Sequence, residues 1–164
     1  MNLILERSLD HNIHATRGLL EACRPLSTEQ FHQRFDIGPG NLHDTLRHVI
    51  GAMIRWSDRI SQREVRPSIE KNEQPFTVDE LLTLLERGDR ELRAAAKDAE
   101  AKLDETITVQ FTPDYPVMRF TRASALVHVT THGVHHRAQA LNMLRRLGVQ
   151  NLPDADALAA ELKP

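Results

Sequence analysis

Apolar residues recur at alternating three- and four-residue steps in four long stretches of the chain, the signature of helices with one buried stripe. The first runs from about Asn2 to Cys23, with Leu5, Leu9, Ile13, Thr16, Leu20 and Cys23 on one stripe, and Pro25 ends it. Ser27-Thr-Glu-Gln30 reads as a capping box opening a short helical turn. Gly38-Pro39-Gly40 breaks the chain, and Asn41 is an N-cap for a second long helix with a seam of Leu42, Leu46, Val49, Met53, Trp56 and Ile60. After a connector bracketed by Pro67 and Pro75, Thr77-Val-Asp-Glu80 forms another capping box and starts a third helix carrying Leu81, Leu84, Leu85 and Leu92.

The period then changes from helical spacing to two. Thr106 to Phe111 and Val117 to Phe120 flank Pro113-Asp-Tyr-Pro116, which predicts a small β-hairpin-like insert. Thr121 caps the last long helix, which ends near Leu147 with Gly148 at C′. Pro153-Asp154 opens a short tail helix through Leu158 and Leu162. The expected fold is all-α: a four-helix bundle with a small β-hairpin-like insert before the last long helix, one domain over residues 1–164 with 149–164 as a tail.

Composition narrows the function. Charged residues are 27% and apolar residues 40% of the chain, and the net charge of −2 is spread through every segment. No basic patch favours nucleic acid or an anionic membrane, and no apolar run approaches the ~18 residues of a membrane span. Cys23 is the only cysteine, so no internal disulfide forms. Without a basic, apolar leader at Met1, the expected location is cytoplasmic.

The chemistry concentrates in the last long helix, where His128, His132, His135 and His136 occupy nine residues. His132 and His136 stand four apart on one helix face, the spacing of a two-imidazole half-site for a transition metal. The zincin motif is excluded, because position 133 is Gly where that motif places a catalytic Glu. Projection at 100° per residue puts both rings in the middle of the stripe of Ala125, Val129, Ala140, Met143 and Leu147. His128 and Gln139 fall beside them, His135 at the edge, and Arg137 on the other side. An unpartnered buried ring costs roughly 1–3 kcal/mol, and a shared cation satisfies several at once. The alternative is a set of hydrogen-bonded core histidines without metal.

His48, flanking the seam of the second helix, is the best third ligand. His43 reads as a surface residue, and His11, His14 and His32 as solvated or structural. Asp44 either orients His48 or, as the first-turn position favours, compensates the helix dipole. Cys23 and Trp56 lie on helix seams and read as packing residues, Trp56 also as a dimer contact.

Together, His48-Val-Ile-Gly-Ala52, His132-Gly-Val-His135-His136-Arg137-Ala138-Gln139, Phe120-Thr121-Arg122 and the hairpin ahead of it resemble the DinB/YfiT-like family over about residues 1 to 148. Ala138 stands where that family usually has Gly. The resemblance implies a four-helix bundle, often a homodimer, with a divalent metal (zinc or nickel) on His48, His132 and His136. It further implies a metal-dependent enzyme on a small-molecule substrate, thiol-transferase-like or hydrolase-like, with a low-molecular-weight thiol or water activated at the metal. The alternative is a non-catalytic metal-binding protein in which the ion is structural, with His128 or His135 as a fourth ligand.

Overall fold

The computed structural model describes residues 2–158. Its four long helices are α1 (Leu3–Cys23), α3 (Leu42–Ile60), α4 (Val78–Asp98) and α5 (Arg122–Arg146), with the single-turn α2 (Thr28–Phe31) after α1. Each begins on the cap its sequence supplies: Asn2, Ser27, Asn41, Thr77 and Thr121 all accept a backbone N–H in the first turn. Ser27 with Gln30 and Thr77 with Glu80 complete the two expected capping boxes. At the far end of α5, Gly148 takes a φ of 79°, the left-handed conformation that glycine adopts without strain.

α3 packs on α4 and α5, and α1 packs on the same two helices, so α1 and α3 stand on opposite corners of a four-helix square. Two chain connections therefore cross a diagonal, α1 to α3 and α4 to α5, and these carry the extra turn α2 and the hairpin. The hairpin pairs β1 (Thr106–Val109) with β2 (Met118–Thr121) in antiparallel register, Ile107 opposite Phe120. β1 is shorter than the expected run and β2 is shifted one residue along from it, and Phe111 lies beyond β1 with its ring against Trp56. Trp56 is largely buried and packs within the chain against Phe111, Phe120 and His128. No described helix is long and apolar enough to cross a membrane.

The connector between α3 and α4 is tied down at three places. Arg66 reaches Asp58 of α3 and Glu91 of α4 through its guanidinium. The N–H of Phe76 donates to His43 Nε2 at 3.0 Å. Between them a 3-10 turn, Ile69–Lys71, is capped by Ser68 and packs back on α3. His43 is thus a buried histidine and not the surface residue its first-turn position suggests, because the returning connector covers it. Cys23 is buried as expected, and burial pushes its thiol up to about 12, which leaves it a packing residue.

Two further expectations are corrected. Described residues 151–158 form no helix, and 159–164 of the expected tail helix lie outside the described residues. The buried line of α5 runs through Leu126, Val129, Gly133, Arg137, Ala140 and Leu144, so His132 and His136 flank it and Arg137 sits inside it, 2% exposed. Hydrophobicity cannot reveal this, since it scores arginine as a surface residue. The guanidinium is accepted between α1 and α5 because Asn12 Oδ1 takes a 2.6 Å bond and Thr16 Oγ1 a longer one from Nη1. Burial pulls its pKa down to about 10.

Gly133 makes that arrangement possible. A Cβ there would stand 2.3 Å from Asn12 Oδ1 and 2.6 Å from Arg137 Nη1, and both side chains are too buried to swing away. Helix propensity alone favours alanine over glycine by about 1 kcal/mol, while overpacking costs about 1–3 kcal/mol. Gly133→Ala is therefore expected to lower the urea midpoint. A rise in stability would contradict this packing.

Candidate metal centre

α3 and α5 lie side by side, and their contact brings three imidazoles from distant parts of the sequence together. His48 Nε2 lies 3.0 Å from His132 Nε2. Ring centroids are 4.9 Å apart for His48–His132, 4.6 Å for His48–His136 and 4.4 Å for His132–His136. One nitrogen from each of the three falls within 4.8 Å of the others, a grouping suited to hold a metal ion.

The outer nitrogens fix how the rings present themselves. His48 Nδ1 faces Glu70 Oε1 at 3.3 Å, and the same carboxylate oxygen accepts from Arg55 Nη2 at 3.2 Å. His136 Nδ1 donates to Gln139 Oε1 at 2.8 Å, and Gln139 Nε2 turns to His135 at 2.9 Å. With Nδ1–H engaged by an acceptor, each ring offers the lone pair of Nε2 inward, an arrangement assigned from the hydrogen-bond network. His132 Nδ1 is buried without a partner.

Among the described residues, no carboxylate joins the three rings. Burial first, then the neighbouring imidazoles, lower the pKa of His132 to about 3, and burial leads the lowering of His136. The hydrogen bond from His48 holds the Glu70 carboxyl below its ordinary range. The site thus pairs two rings held as neutral bases, His132 and His136, with His48 and the ionised carboxylate behind it, a donor set that imidazole-preferring divalent metals accept.

The structure brings His48, His132 and His136 together in this cluster, and the neighbours divide. His135 is bonded to Gln139, and the His128 ring lies 4.8 Å from Trp56 and 5.6 Å from His132, outside the ligand group. Asp44 serves α3 itself, pairing with His43, Arg47 and the Asn41 cap. Glu70 takes the orienting role instead. Sequence reasoning misses it because the connector has no periodicity from which to place a side chain. The Ser68 cap, an ST-type turn two residues before Glu70, is the one local signal. Gly38 completes the outer wall: at φ 54° it packs so close that a Cβ would stand 2.1 Å from Gln139 Oε1.

These pKa shifts set the acid response of the metal-free protein. In the unfolded chain a histidine takes up its proton near 6.5, whereas folded His132 resists protonation to about 3. The unfolded state then binds more protons between those values, so stability is complete above 6.5 and falls as pH drops through that window. Thermal unfolding in chelator should show Tm decreasing from pH 7 to pH 4, with a shallower slope in His132→Gln. Equal slopes for the two proteins would contradict the assignment.

Comparison with known proteins bears on the whole chain. The crystal structure of a DinB-like protein from Bacillus subtilis matches with a TM-score of 0.65 and 18% identity, over 94% of this chain and 99% of that one, which shows a shared fold. Among curated proteins none matches. The model of the DinB family matches residues 1–162, and the chain belongs to that family.

Proposed function

We propose that this protein is a divalent-metal-dependent enzyme with its cation on His48, His132 and His136, acting on a small molecule by activating water or a low-molecular-weight thiol. The observation that carries the reading is the 3.0 Å approach of His48 Nε2 to His132 Nε2 while Glu70 and Gln139 occupy the outer nitrogens of His48 and His136. Without a cation, one of the two facing nitrogens must carry a proton and the lone pairs around it go unused. With one, all three rings act as acceptors. Zinc and nickel both suit neutral imidazole.

When bound, such a cation supplies Lewis acidity at an open position and lowers the pKa of a water or thiol reaching it. The rest is done by the chain. Glu70 and Gln139 hold two rings in the required tautomer, and Arg55 keeps the Glu70 carboxylate in place. His128, whose pKa partial desolvation lowers, is the nearest further base on the Trp56 side. A purely structural ion would call for a fourth protein ligand. Among the described residues no other His, Cys, Asp or Glu joins the group, which favours the catalytic reading.

The homodimer expected from the resemblance has a candidate face on α1 and α5. There Leu3, Ile4 and Val134 are exposed around a groove of about 610 Å³.

Metal titration of chelator-treated protein should give one equivalent of zinc or cobalt. Replacing any one of His48, His132 or His136 by Ala should weaken binding by more than ~100-fold, beyond the ~10–100-fold that outer partners are worth. Glu70→Gln and Gly38→Ala should fall within that smaller range, because they disturb the orientation of His48 and Gln139. Unchanged affinity in His132→Ala would overturn the proposal.

A further inference from the structure

Further along α3 from the three rings stands a guanidinium that no carboxylate hydrogen-bonds among the described residues. Arg59, in the last turn of α3, makes no side-chain hydrogen bond or ion pair among the described residues, and its Nε is buried without an acceptor. The carboxylates that could serve it are already taken: Asp58 holds Arg63 and Arg66, and Glu70 holds Arg55. Its guanidinium lies instead over two rings, 5.2 Å from the centre of Trp56 and 5.1 Å from that of Phe111. Burial first, and then the charge of Arg55, lower its pKa. Asp58 acts the other way, and a further negative group near Arg59 would favour its charge.

The position of this guanidinium ties it to the cluster. Long side chains lean toward the N-terminus of their helix, so the head group of Arg59 reaches back to the level of Trp56. Trp56 is in ring contact with His128, and His128 with His132. On the other flank Arg55 binds Glu70, which binds His48. Two lines of contact, one of rings and one of ion pairs, thus run from the imidazoles to Arg59 and Arg55. An aromatic shelf ending in a guanidinium that no carboxylate hydrogen-bonds suits a small organic anion: the rings cover its hydrocarbon and the planar fork receives its carboxylate.

We propose that Arg59, with Arg55 beside it, receives the carboxylate of a small organic acid that lies along Trp56 and His128 and meets the three-histidine centre with its other end. The inference rests on the cation site proposed above and adds the class of molecule it serves. Arg59 is here a binding residue and takes no part in proton transfer.

The test uses the full-length protein loaded with cobalt(II). It is titrated with ω-mercaptocarboxylates of increasing chain length and with the matching mercaptoalcohols, and thiol binding is read from the sulfur-to-cobalt charge-transfer band. At the chain length that spans the shelf, the acid should bind about 10-fold tighter than its alcohol, the scale of one charge-assisted hydrogen bond. Arg59→Gln should bring the acid down to the alcohol's affinity and leave the alcohol unchanged, which also shows that the fold and centre survive. Arg59→Lys, with the charge but without the fork, should restore part of the preference. Equal affinities at every length, or a preference that persists in Arg59→Gln, would overturn the inference while leaving the cation site standing. Failure to take up cobalt would instead sink the cation site, and this inference with it.

Discussion

Three imidazoles can share one small space only if something accepts what their lone pairs offer. Here the packing of α3 on α5 forces that condition: His48 comes from one helix, His132 and His136 from the other, and two facing nitrogens approach to 3.0 Å. Burial keeps His132 from relieving the crowding by taking up a proton, since its pKa is lowered to about 3. A shared divalent cation would satisfy all three together. The pressure on the site therefore arises from the same helix contact that builds the core.

The surroundings hold that geometry from outside. The connector after α3 is fixed by Arg66 at one end and by the Phe76–His43 bond at the other, which puts Glu70 behind His48. The Gly38 loop presses on Gln139, which holds His136. Beneath α5, Arg137 takes its place in the core opposite Asn12, with Gly133 leaving the room it needs. The helix thus has two polar devices on neighbouring faces: histidines that meet α3 and an arginine that meets α1.

Much of this is legible in the residues alone. Caps at Asn41, Thr77 and Thr121, the period change at Thr106 and the i, i+4 histidines each have a local physical cause, and the structure reproduces them. What escapes the sequence depends on long-range contact. His43 is buried by a connector that returns over it, Glu70 reaches the site from a segment without periodicity, and Arg137 is buried because its partner sits 125 residues away on α1. The hydrophobic projection also misplaced the centre of the α5 stripe. It could not know that Gly133 and Arg137 form its middle.

The most direct test is the tautomeric state of the histidine rings, read by long-range nitrogen–proton NMR on labelled protein before and after one equivalent of zinc. Three of the nine rings, assigned to His48, His132 and His136, should acquire metal-bound Nε2 and protonated Nδ1, while His128 and His135 keep their signals. Zinc-induced change at other rings, or none at these three, would contradict the account.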